Sequence, residues 1–223
     1  MNKSVTKQYA LLVMNKRFNI NSFLVRDFLV ATIAAGLFEL EKNKVLKVEY
    51  SKNNITFSIQ KKLPDKLNYL SEIYNVILDC HEKTLYDVIK LFNMESNRRY
   101  SENYVQGLTH SMVKSGVLSE TKKNKLFGKE KTSYVVNKET VNEIIKYIRE
   151  TFLYDKSDDE ECCILSILLN RTGLLKSYFG KDEADIIVNK IKKLIKGDYG
   201  LTTIIRGLDD LIVMSLGFVK FFT

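Results

Sequence analysis

Proline is almost missing from this 223-residue chain: Pro64 is the only one, and glycine occurs ten times. An all-β sandwich or barrel needs a turn about every 8–12 residues, so this poverty of turn formers argues against one. Tryptophan is absent, and the two histidines, His81 and His110, lie far apart. Neither stands at metal-ligand spacing from a cysteine or carboxylate, so no metal site is expected. Three cysteines, Cys80 and the adjacent pair Cys162 and Cys163, are too few for a disulfide framework. Reduced thiols, and with them a cytoplasmic location, are the expectation. Long apolar runs are lacking too. "FLVATIAAGLF" and "LIVMSLGFV" fall well short of the roughly 20 residues that span a bilayer. They read as buried core helices. The opening "MNKSVTKQYALLVMNKRF" has no sustained apolar stretch of the kind that marks a secretory leader.

What is present is ordinary for a globular protein, with 45% apolar and 28% charged residues, but the charge is uneven. The net charge is +8. Residues 1–62 hold eleven basic side chains against four acidic ones, and residues 114–131 hold six lysines against Glu120 and Glu130. Two basic blocks admit an anionic partner, either nucleic acid or an acidic lipid surface. A solvated lysine-rich surface is the plain alternative.

Helical spacing dominates the pattern. "SFLVRDFLVATIAAGLFELEKNK" places Phe28, Leu29, Ile33, Leu37 and Leu40 at helical intervals behind a Ser22 cap, and its "ATIAAG" patch suits close helix approach. "KVLKVEYSKNNITFSIQ" alternates around an Asn-Asn turn, which predicts a β-hairpin with strands near 45–50 and 55–60. Pro64 precedes two helices, "KLNYLSEIYNVILDC" and "TLYDVIKLFNM". "NMESNRRYSEN" reads as a polar loop, and "NYVQGLTHSMVKSG" as a helix stopped by Gly116. Farther on, "KETVNEIIKYIRETFL" puts Val141, Ile144, Ile145, Ile148 and Phe152 on one face. "SDDEECCILSILLNRTG" opens with acids where the helix dipole favours them. "DEADIIVNKIKKLIKG" and the terminal "TTIIRGLDDLIVMSLGFVKFFT" complete the set. The expected fold is mainly α: a single helical domain over 1–223, helices outnumbering strands severalfold, with a short N-terminal β-hairpin and a projecting hairpin near 119–136.

Catalytic chemistry is not legible. There is no glycine-rich phosphate loop, nucleophile elbow or Cys/His pairing. Four acids at 158–161 read as a solvated helix cap rather than paired catalytic carboxylates. No catalytic residue, metal or cofactor is expected.

The informative stretch is "VKSGVLSETKKNKLFGKEKTSYVVN", a helix end followed by a basic hairpin. A winged helix meets DNA with such a unit, and peripheral proteins meet membranes with one. For DNA, the helix 103–115 would be the reader and the hairpin 119–136 the wing. That helix offers Asn103, Gln106, His110 and Lys114, a thin set for base edges, while Val105, Leu108, Met112 and Val113 take core positions. Nucleic acid is therefore the weaker alternative. For a membrane, Lys129 and Lys131, with Lys122, Lys123 and Lys125 beside them, supply charge. Leu126 and Phe127 supply apolar insertion or an oligomer contact.

The order of elements resembles the Golgi phosphoprotein 3 family along nearly the whole chain. "YALLVMNKRFNIN" is similar to the family's opening, where a Leu-rich strand leads into a charged turn. "AAGLFELEKNKVLKVE" is similar to its small-residue helix, basic turn and strand. "YLSEIYNVIL" and "TLYDVIKLF" resemble its paired helices, and "LTHSMVKSGVLSETKKNKLFGKEKTSYVVN" its helix and hairpin. "DDEECCILSILLNRTGLLKSYF" and "LDDLIVMSLGFVKFFT" resemble its later helices. The resemblance implies a non-enzymatic adaptor without a cofactor, peripheral on a membrane and Golgi-located in a eukaryote. It also implies phosphatidylinositol 4-phosphate as lipid, protein clients, and self-association through the hairpin in some members. The family's lipid pocket uses a tryptophan and arginines. Here Leu24 stands in place of the tryptophan, and Ile33, Glu102 and Val105 in place of arginines. Arg26, Arg98 and Arg99 are the neighbouring cations that could take over an anionic headgroup.

Overall fold

The computed structural model describes residues 4–17, 26–50, 55–80, 84–93, 98–124, 130–154 and 159–197. Its first element is helix α1 (Val5–Arg17), where the resemblance led us to expect a Leu-rich strand. A short apolar run such as "YALLVM" fits a buried strand or a buried helix equally, and tertiary contacts decide. Here Ser4 caps the run, its Oγ accepting from the Lys7 amide at 3.1 Å. The helix packs against three others, α2 (Arg26–Lys42), α6 (Lys138–Phe152) and α7 (Glu160–Arg171). From Tyr9 to Met14 it is buried all round, and that stretch has no polar face to show.

The described part of α2 is buried almost as completely, from Phe28 to Leu40. Its small residues have the expected use. A Cβ on Gly36 would stand 2.6 Å from Ile73 Cδ1 and 3.1 Å from Leu70 Cδ2, so only glycine lets this crossing close without a shift. Ala34 and Ala35 are buried beside it. Strands β1 (Leu46–Tyr50) and β2 (Ile55–Ile59) follow as an antiparallel pair, Val48 opposite Phe57. They pack against α2, α3 (Ser71–Asp79) and α4 (Leu85–Asn93). Pro64 leads into a 3₁₀ segment, Asp65–Leu70, whose Leu67, Tyr69 and Leu70 are buried.

Helix α5 (Arg98–Lys114) begins five residues before Asn103, so the second half of the expected polar loop is helical. The polar text hides a packed face. Ser101 Oγ donates to the Phe92 carbonyl at 2.6 Å, and Tyr104, stacked edge-on against Phe92, donates to the Thr32 carbonyl at 3.0 Å. Gly116, at φ +75°, ends the helix as expected. The second hairpin, β3 (Leu118–Asn124) with β4 (Glu130–Val136), is anchored at its base by buried Leu118 against α5. Thr121 and Thr132, farther out, are exposed.

Asn137 caps α6 by accepting from the Thr140 amide at 3.1 Å. Asp159 caps α7 by accepting from the Glu161 and Cys162 amides at 2.9 and 3.3 Å, while Glu160 and Glu161 pair with Lys42 and Asp158 lies outside the described residues. Helix α8 (Leu174–Gly197) is broken at Gly180, φ +72°. Eight α-helices stand against four strands among the described residues: a mainly α fold with two hairpins, though the excess in elements is twofold. The expected helix within 201–223 lies outside the described residues. Among the described residues no helix is long and apolar enough to cross a membrane.

Candidate functional site

The positions that the resemblance places in the lipid pocket do not share one setting. Ile33 and Val105 are core residues, 0% and 7% exposed. Glu102 is on the surface of α5, where Arg98 Nε meets its carboxylate at 2.9 Å. Glu102, which the resemblance places at an arginine position, is thus the ion-pair partner of Arg98, one of the expected headgroup cations. Arg99 is exposed in the same first turn, and Arg26 opens α2; the side chain of Arg26 and all of Leu24 lie outside the described residues. Of the candidate reader residues on α5, Asn103 is engaged with Glu72, its amide donating at 3.3 Å. Gln106, His110 and Lys114 are exposed, while Val105, Leu108 and Met112 are buried.

The hairpin tip residues Lys125, Leu126, Phe127 and Lys129 lie outside the described residues. The register below them is described. Lys122 stands opposite Thr132, Lys123 opposite Lys131, and Asn124 opposite Glu130. Like charges at directly opposite positions of a two-stranded ribbon are destabilising as a rule, and the backbone register pairs Lys123 with Lys131.

A cleft of about 440 Å³ opens at the other end of α2, lined by Ser4, Lys7, Glu39, Lys42, Asn43, Lys66, Leu67, Tyr69 and Glu161. Its floor is the Glu39 carboxylate, 6% exposed. One oxygen accepts from the Thr6 amide at 2.8 Å, and the other accepts from the Tyr69 hydroxyl. Ser4 Oγ lies 3.2 Å from that hydroxyl. Burial pushes the Glu39 carboxyl above its ordinary range, and these hydrogen bonds pull in the opposite direction. Lys7 reaches over the Tyr69 ring, Nζ 4.3 Å from its centroid, and burial draws its pKa down while the Glu39 charge raises it. Lys42 closes one side through Glu161 at 2.8 Å and Glu160 at 3.5 Å. Asn43 donates to the Glu39 carbonyl at 2.8 Å. Lys66 sits exposed on the rim, with no ion pair among the described residues.

Sequence reasoning missed this cleft. The only local signal is Glu39, a lone acid inside the apolar run of α2, which must find donors to be buried. The cysteines offer no competing chemistry. All three are free and buried, and burial pushes the Cys162 thiol up to about 12, away from the nucleophilic thiolate. Among the described residues no group of three or more His, Cys, Asp or Glu could hold a metal.

No curated protein matches the chain. The family model for Golgi phosphoprotein 3 (GPP34), however, matches residues 6–204. That span runs from α1 past α8 and takes in both hairpins and every helix described. The chain therefore belongs to the Golgi phosphoprotein 3 (GPP34) family.

Proposed function

We propose that the protein is a non-enzymatic adaptor that docks peripherally, from the cytoplasmic side, on an anionic phospholipid surface through the hairpin 119–136. The observation that carries this reading is the register that sets Lys123 opposite Lys131 in a segment with four further lysines, at 114, 122, 125 and 129. A ribbon that tolerates opposed cations gains most when an anionic surface neutralises both. Each lysine near such a surface contributes about 1 kcal/mol. Leu126 and Phe127, between the strands, add apolar residues for shallow insertion. Family membership supports the adaptor part of the reading, with protein clients and self-association through the hairpin as its further expectations. Lipid recognition is by charge. Ile33 and Val105 are buried and Glu102 is acidic, so no preference is expected for phosphatidylinositol 4-phosphate over other anionic lipids at matched charge.

Vesicle co-sedimentation across lipid compositions tests this. Binding should rise with anionic lipid content and fall with salt. Changing Lys129 and Lys131 to Glu should weaken it most at low salt, because exposed charges are screened beyond about 10 Å at 0.1 M. Phe127→Ser should remove a part that persists at high salt. A preference for the phosphoinositide that is lost when Arg98 and Arg99 are changed would replace charge recognition with a specific pocket. A salt-dependent shift of duplex DNA with no vesicle binding would overturn the proposal in favour of a nucleic-acid partner.

A further inference from the structure

The geometry points to the cleft between the starts of α1 and α7 and the end of α2 as a binding site for a small anion of the phosphate class, held by Lys7 and Lys66. None of the positions matching the family's lipid pocket lines this cleft, and the inference does not depend on the hairpin's role.

Three facts bring it out. First, the acids of the cleft are already occupied. Both oxygens of Glu39 accept, from Thr6 and Tyr69, and Glu161 is paired with Lys42, so each acid of the cleft already has a donor. Second, the cations are not matched in the same way. Lys66 has no ion pair among the described residues, and Lys7 is half-buried with its ammonium over an aromatic face. A half-desolvated ammonium whose pKa is drawn down by burial gains more from an incoming anion than a solvated one does. Third, the volume of about 440 Å³ suits a small ligand, and the donors sit on separate elements. Lys7 comes from α1, Lys42 and Asn43 from the end of α2, and Lys66 from the 3₁₀ segment. Ammonium groups placed around a cavity suit a tetrahedral, multi-oxygen anion better than a planar carboxylate, which favours the bidentate fork of arginine.

The test titrates the full chain with inorganic phosphate and with glycerol 3-phosphate at constant ionic strength, read by calorimetry and by amide chemical shifts. Saturable binding is expected, with shifts centred on Ser4, Lys7, Asn43 and Lys66. Lys66→Gln should weaken it about tenfold and Lys7→Gln by as much or more, while Lys123→Glu and Lys114→Gln leave it unchanged. Lys66 is exposed, so its variant stays informative if Lys7→Gln unfolds. Equal shifts with chloride, or an unchanged titration of folded Lys66→Gln, would overturn the site. Sedimentation with phosphatidic acid vesicles separates the two sources. A loss in Lys66→Gln parallel to its loss of free phosphate supports a lipid headgroup as the occupant, and intact sedimentation beside lost phosphate binding supports a free phosphate. A hairpin variant that no longer sediments but still takes phosphate would support the hairpin as the vesicle contact and the cleft as a separate site.

Discussion

Glu39 is the residue whose chemistry is set most completely by its surroundings. In the unfolded chain it ionises in the ordinary range near 4.5, and in the fold burial raises it. A carboxyl with a raised folded pKa favours folding while it is protonated. Its contribution is complete below pH 4.5 and is lost as pH rises through the higher folded value. Melting temperature measured from pH 4 to pH 8 should therefore carry a downward component that Glu39→Gln removes. The amide keeps an acceptor for Tyr69 and cannot ionise. Parallel pH profiles for the two proteins would mean that Glu39 titrates as it does in solvent.

At the scale of elements, two devices stand out, one attractive and one repulsive. The small-residue patch of α2 lets Ile73 and Leu70 come within a side chain's width of Gly36. Ala35→Leu, at a fully buried position, should overpack this region and cost roughly 1–3 kcal/mol, seen as a lower urea midpoint. An unchanged midpoint would place residue 35 in a looser setting. In the second hairpin, Lys123→Glu exchanges an opposed like pair for an opposite one facing Lys131. Such pairs contribute about 0.2–1 kcal/mol, so the variant should melt slightly higher and yet bind anionic vesicles more weakly. Opposite signs in the two measurements are the signature of a charge kept for a partner rather than for the fold. If both fall together, the lysine is structural.

For the molecule as a whole, α1 is the common neighbour of α2, α6 and α7. At its far end, Tyr178 donates to the Leu12 carbonyl at 2.7 Å, and Lys16 donates to the Ser177 carbonyl at 2.7 Å, which ties in α8. Leu12, wholly buried on this helix, is the place to ask whether the chain unfolds as one unit. Leu12→Ala should cost about 2–5 kcal/mol. It should shift the helical signal and the tyrosine fluorescence together, because the elements on both sides of α1 lose the same contact. Two separated transitions would show that the helices around α4 and α5 fold independently of those around α7.

Local chemistry determined much of this by itself. The alternating runs placed β1 and β2, Gly116 placed the end of α5, Asp159 the cap of α7, and "ATIAAG" the tight crossing of α2. Each is a rule that operates within a few residues, so it is legible without the fold. Nothing local distinguishes a strand from an all-round buried helix in "YALLVM", or a loop from a packed helix in "RRYSEN". Those outcomes rest on what lies against them, namely α2, α6 and α7 in one case and Phe92 and Thr32 in the other. The cleft belongs wholly to the tertiary structure. Lys7, Glu39, Lys66 and Glu161 are far apart along the chain, and only the packing of α1, α2, the 3₁₀ segment and α7 brings three cations around one buried carboxylate, because charge and burial act through space rather than along the sequence.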